Sequence, residues 1–203
     1  MGDKLKVQNY WKIDEQSDVL ISLREVLHQL GQVADNINCW KWAVIAMASA
    51  LNGALTCNLT GTMQIGALKE ETAKKTILAL QHGSTVALPR PWLASPLDLL
   101  KRAAGTKRLE RAGPPLVLEN HQVTRFKKLF YFRDEFLHFK PVSWSIEVSG
   151  MPIIFKGMIQ IIHQIIEDGW SFRHMDDSLV NELRETCLEI IKILTDLEQI
   201  LEG

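Results

Sequence analysis

Charge of one sign is what this chain most plainly lacks: 24 acidic and 23 basic side chains nearly cancel, leaving a formal net charge of -1 over 203 residues. That balance argues against a protein that coats DNA or RNA through global positive charge, while leaving room for a local basic site. Cysteine is scarce too. Cys39, Cys57 and Cys187 have neither zinc-ligand spacing nor a disulfide-scaffold pattern, which fits a reducing, cytoplasmic setting. Cys57 and Cys187 fall among apolar residues at helical spacing and read as small buried hydrophobes. Long apolar runs are also missing. The amino terminus turns acidic and polar before any stretch reaches the length of a signal-peptide core. Of the two most apolar segments, 42–55 is too short for a membrane span and 151–166 is broken by Lys156, Gln160, His163 and Gln164. Both read as core helices, so no membrane association is expected. Finally, His28, His82, His121, His163 and His174 supply no pair at metal-binding spacing on one helix face, so neither a metal nor a cofactor is expected.

What is present is helical periodicity. With 46% hydrophobic residues the chain can bury one sizeable core, and a single domain over 1–203 is the simplest organisation. Val19, Leu20, Leu23, Leu27, Leu30 and Ala34 predict a first amphipathic helix over about 14–34. A second, over about 38–59, repeats Trp40, Val44, Met47, Leu51 and Leu55, and its Ala43, Ala46, Ala50, Gly53 and Ala54 form a face of very small side chains. Such a face lets a neighbouring backbone approach closely, so this should be the central helix. Gly61 and Gly66 mark a turn that lacks the lysine and the serine or threonine of a phosphate loop. A shorter helix follows over 69–80, ended by His82, Gly83 and Ser84.

Residues 84–120 carry Pro89, Pro91, Pro96, Pro114 and Pro115, which remove backbone donors and fix torsions. Short helices are predicted there over 97–103 and 106–112. Because Trp92, Leu93, Leu97, Leu99 and Leu100 lie in the same stretch, it reads as an ordered proline-rich arm packed on the bundle. A helix over 119–139 stops at Pro141. Trp144, Ile146 and Val148 then alternate with polar residues, as in one short extended segment lying over apolar surface. Pro152 opens a further helix that ends at Asp168 and Gly169, and a last helix begins near Ser178. Its stripe of Val180, Leu183, Cys187, Ile190, Leu194, Leu197 and Leu201 is widened by Ile191, Ile193 and Ile200, enough to meet two neighbours, one of them in a second subunit of a homodimer. The expected fold is all-α.

Along the 119–139 helix one seam reads Val123, Phe126, Phe130, Arg133, Leu137, so an arginine stands where the pattern calls for a hydrophobe. Removing a guanidinium from water is costly unless negative charge meets it, whether a carboxylate, carbonyls or a phosphate admitted by a cleft. His138 lies five residues on, in the last turn. Over five residues a helix rises about 7.5 Å and turns about 500°, so the two side chains leave on different sides; a two-fold axis would gather two arginines and two histidines in one cleft. An imidazole can move protons at a ribose 2′-hydroxyl and a leaving oxygen, and a guanidinium can stabilise the phosphorane-like transition state, chemistry that needs RNA and no metal. The same residues also fit an internal ion pair beside a helix-terminal histidine, which is favourable without any substrate.

The stretch from Phe132 to Phe139 resembles the arginine, polar residue, variable residues, histidine signature of the HEPN (higher eukaryotes and prokaryotes nucleotide-binding) superfamily, and the Trp40 to Ala46 helix start is similar to helices of that group. The resemblance covers the bundle and leaves the proline-rich arm outside. It implies a HEPN-like helical bundle, usually dimeric, that is often an endoribonuclease and elsewhere a noncatalytic module binding a nucleotide or a partner protein. Carried across, Arg133 is the phosphate-stabilising arginine, His138 the catalytic histidine and Asp134 the motif's polar position, where active relatives usually have asparagine; Lys140 replaces an aromatic residue. A carboxylate there repels phosphate or locks Arg133 in a salt bridge. One local concentration of positive charge, Lys101, Arg102, Lys107, Arg108 and Arg111, interrupted by Glu110, is the candidate RNA contact, with Trp92 nearby for stacking. Trp40, Trp42, Phe126, Phe130, Phe132, Phe136 and Phe139 are expected to be packing or interface residues instead.

Overall fold

A computed structural model describes residues 10–83, 86–138 and 140–202. Ser84, Phe139 and the polar amino-terminal stretch before Tyr10 lie outside them. Among the described residues the chain forms seven helices and no strand: α1 (Glu15–Leu30), α2 (Cys39–Leu59), α3 (Glu70–His82), α4 (Pro96–Ala103), α5 (Asn120–Leu137), α6 (Met151–Ile166) and α7 (Asp177–Glu202).

Local chemistry sets several of the ends. α1 opens on a reciprocal capping box in which the Ser17 amide donates to Asp14 Oδ1 at 2.8 Å and the Asp14 amide donates to Ser17 Oγ at 3.0 Å. The Ser17 hydroxyl and amide together hold the Asp14 carboxyl below its ordinary pKa. Glu119 and Gln122 make the equivalent box for α5, and Pro152 stands in the first turn of α6.

The most extensive helix contact joins α1 to α2. The small face of α2 explains it: Ala43, Ala50 and Ala54 have no exposure, and a Cβ on Gly53 would come within 2.8 Å of Val19 Cγ2. α2 also touches α4, α5 and α6, while α7 packs on α6 and α1. By length and composition α2 is the one helix among the described residues that could cross a membrane; 72% of its apolar window is buried inside the bundle, as in a core helix. One continuous core runs through α1, α2, α4, α5, α6 and α7, and a satellite of Ile65, Leu68 and Ala73 sits beneath α3.

Three expectations need correction. Residues 106–112 are not helical. Gly105 takes φ +96° and Lys107 φ +57°, left-handed turns incompatible with helix continuation. Nor does the α5 seam run to Leu137, which is half exposed; the buried face is Gln122, Phe126, Leu129, Phe130 and Phe132. By angle position 137 stays on the face of 126, 130 and 133, so its exposure comes from standing at the very last residue of α5. Ile200 of α7 is likewise exposed. The segment after Pro141 has no regular structure, yet Trp144, Ile146 and Val148 are partly buried on the core while Ser145, Glu147 and Ser149 face out. Trp144 closes edge-on against Phe136, with ring centroids 5.1 Å apart.

All three cysteines are buried and free. Burial pushes the Cys187 thiol up to about 12 and raises Cys57 well above the usual thiol range. Since the thiolate is the reacting form, both should resist an aromatic disulfide reagent at pH 8 until the protein is denatured, measured in a Cys39→Ser background. The raised folded-state pKa also fixes a sign. The protonated thiol favours the fold, so this contribution is complete below the unfolded value of about 8.5 and is lost as pH rises toward 12. Unfolding free energy should therefore fall over that window, less steeply in Cys187→Ala; native-state labelling at pH 8 would refute the assignment.

Candidate functional site

Arg133 lies on the buried side of α5 with 24% of its side chain exposed. Its Nε is 2.8 Å from Asp134 Oδ1, but no hydrogen bond is aligned and the buried Nε–H finds no acceptor. The pair is therefore a charge contact between sequence neighbours. The guanidinium also stacks over Phe130, with Cζ 4.9 Å from the ring centroid. Glu135, the other acid of the motif, is taken by Lys140 at 3.0 Å, which raises the Lys140 pKa. Among the described residues Asp134 is the one carboxylate at Arg133.

Around Arg133 is a groove of about 340 Å³ between α5 and the start of α4, lined by Lys127, Tyr131, Asp134, Phe126 and Phe130 on one side and Ser95, Pro96 and Leu97 on the other. Tyr131 is half exposed there. The sequence pattern does not single out Lys127 or Tyr131, although Lys127, Tyr131 and Asp134 share one helix face by i, i+4, i+7 spacing.

No protein-family model, curated protein or solved structure matches the chain. The site is thus judged on its own geometry. His138 caps α5, donating its amide to the Asp134 carbonyl at 2.9 Å, and its side chain is exposed. It does not line the Arg133 groove. Within one chain the two motif residues thus do not share this groove.

The basic run divides. Lys101, Arg102 and Lys107 line a second cavity of about 490 Å³, together with Lys69, Glu70, Ser95, Asp98 and Thr106. Arg108 turns away from it, donating to the carbonyls of Arg102 at 3.2 Å, Ala103 at 2.8 Å and Gly113, and burial lowers its pKa. Arg111 is exposed and lines neither recess. Glu110 also has internal work. Its carboxylate accepts from the amides of Met63 at 3.0 Å, Ile65 at 2.8 Å and Gly66 at 2.8 Å. The Gly61–Gly66 turn is therefore an anion nest already occupied by the chain's own side chain.

The aromatic side chains split as well. Trp40, Phe126, Phe130 and Phe132 are buried, whereas Trp42 is half exposed. Trp92, also half exposed, is flanked by Arg90, with Cζ at 5.1 Å, and Lys69, with Nζ at 5.7 Å. Among the described residues no group of three or more histidine, cysteine, aspartate or glutamate side chains is placed to hold a metal ion.

Proposed function

We propose that this chain is a HEPN-like, RNA-directed protein that cleaves RNA through Arg133 and His138 by a mechanism that calls for no metal. The observation that carries the reading is the station of Arg133: a largely buried guanidinium on the wall of a groove open to solvent, whose one carboxylate contact among the described residues is unaligned and comes from its neighbour Asp134. A phosphate entering that groove would supply the missing negative charge and aligned acceptors.

In the proposed step an imidazole takes the proton of a ribose 2′-hydroxyl while the 2′-oxygen attacks the adjacent phosphorus. The bond to the 5′-oxygen breaks and that oxygen receives a proton, leaving a 2′,3′-cyclic phosphate. Arg133 stabilises the charge that gathers on the phosphoryl oxygens. Taking one proton and giving another at the same phosphate suits two imidazoles better than one. A homodimer supplies both, and also the way to bring the His138 of one copy to the Arg133 of the other. Tyr131 and Leu137, half exposed on α5, and the more exposed Val142 after it leave apolar surface for such a contact.

Asp134 favours a second reading, a noncatalytic module binding a nucleotide or a partner protein, because a carboxylate 2.8 Å from the guanidinium competes with phosphate. The deciding assay incubates the protein with single-stranded RNA, and with DNA of the same sequence, in excess chelator. Cleavage of RNA alone, lost in His138→Ala and increased in Asp134→Asn, is the expected result. Intact RNA with the wild-type chain and with Asp134→Asn would sink the enzyme and leave the binding module.

A further inference from the structure

The cavity beside α4 and the Arg133 groove have a wall residue in common. Ser95 lines both, with Asp98, Lys101 and Arg102 facing the cavity at helical spacing and Pro96 and Leu97 facing the groove. The two recesses thus both border α4 and share its N-cap residue.

Positive charge in the cavity is built in and left available. Arg102 is fixed by Nη1 bonds to the carbonyls of Gly66 at 3.0 Å and Leu68 at 2.7 Å. Lys107 is held in a left-handed turn that Arg108 braces through the carbonyls of Arg102 and Ala103 before it and Gly113 after it. The two acids of the wall already have local partners: Glu70 pairs with Lys74 at 2.9 Å, and Asp98 accepts from Ser95 Oγ at 2.7 Å. Among the described residues neither Lys101 nor Lys107 has an ion pair. Lys69, which lines the cavity, has its Nζ 5.7 Å from the half-exposed indole of Trp92, and its backbone amide donates to the Trp92 carbonyl at 2.7 Å.

We propose that this cavity is a backbone-holding subsite for single-stranded RNA, with Lys101, Lys107 and Arg102 taking phosphates and Trp92 stacking a base, and that the strand turns over Ser95 to reach Arg133. The inference rests on the RNA-directed reading above and adds the substrate class. A strand that must enter two recesses bordering one helix has to bend within a few nucleotides, which a single strand does and an A-form duplex does not. Arg108, Arg111 and Glu110 take no part.

The test measures binding, so it does not depend on cleavage. A fluorescein-labelled single-stranded RNA is titrated in chelator by anisotropy at several salt concentrations, using His138→Ala as the parent, with Lys101→Gln/Lys107→Gln and Arg133→Ala each added to it. Each phosphate contact contributes about 0.7 to the slope of log affinity against log salt for a single strand, so the double variant should lower the slope by about 1.4 and weaken binding on the order of tenfold at low salt. Trp92→Ala should weaken binding without changing the slope. Unchanged affinity and slope in the double variant, with binding still lost in Arg133→Ala, would overturn the subsite and leave the RNA-directed reading standing. Absence of RNA binding to folded parent protein would overturn both. Equal affinity for the same sequence as a duplex, or dependence on Lys101 and Lys107 seen only with a mononucleotide, would overturn the single-strand assignment.

Discussion

Glu110→Ala should lower the unfolding free energy by about 2–6 kcal/mol, because the amides of Ile65 and Gly66 are buried and each loses the Glu110 carboxylate as acceptor at roughly 1–3 kcal/mol. The turn that forms the nest also has no room for side chains of its own at its two glycines. A Cβ on Gly66 would lie 1.9 Å from the Leu59 carbonyl oxygen, and one on Gly61 would lie 2.4 Å from the carbonyl oxygen of Arg111. Glu110→Gln should be intermediate. Its amide oxygen can replace the Oε1 that serves Ile65 and Gly66, while its amide nitrogen then faces the Met63 N–H. The damage should reach the basic cavity as well, because the Gly66 carbonyl is one of the two that fix Arg102. Urea unfolding of the three proteins checks the order wild type, Gln, Ala. An alanine variant as stable as wild type would mean that the nest is not a structural clasp.

That clasp also marks the limit of what the chain reveals before it is folded. Helix positions follow from apolar spacing and from short-range stops such as Pro141 and Gly169, because both act within a few residues. The alternation of Trp144, Ile146 and Val148 works in the same way, since a period of two is legible whether or not a sheet forms. Charges behave differently. Read along the chain, Lys101, Arg102, Lys107, Arg108 and Arg111 form one basic run broken by Glu110. In space Arg108 caps carbonyls and Glu110 fills a nest more than forty residues away. Nothing local separates a cation that braces a turn from one that faces a ligand. The turn itself hid the distinction: Gly105 and Lys107 in left-handed conformations end a pattern that otherwise reads as helix.

Arg133 was legible because a misplaced charge stands out against a periodic apolar seam, and its partial burial follows from that seam. Its relation to His138 was not, since the helix turns the two side chains toward different sides. The groove was illegible for a third reason. Its far wall, Ser95 to Leu97, comes from a part of the chain whose prolines conceal its register, and its α5 residues Lys127 and Tyr131 look like ordinary solvent-facing side chains until α4 is laid beside them.

Arg133→Met should separate stability from function more sharply than any other change. Methionine keeps the length and the contact with Phe130, where sulfur packs well against an aromatic face, and it removes a cation whose Nε–H has no aligned acceptor. Asp134 is then left without its partner, but that side chain is 57% exposed and water can solvate it. Replacing a poorly satisfied buried charge by an apolar isostere is commonly neutral or stabilising, so the melting temperature should stay level or rise. RNA cleavage should nonetheless fall by about 10²–10³-fold, the loss that follows removal of one preorganised donor from a charge-developing transition state. Arg133→Lys should recover only part of it, because a single ammonium lacks the fork that binds two phosphoryl oxygens at once. A marked drop in melting temperature for the methionine variant would assign Arg133 to the fold, and cleavage at the wild-type rate would remove it from the chemistry. The combination of a protein at least as stable and nearly inactive is the outcome that a residue held in place for a ligand's negative charge requires.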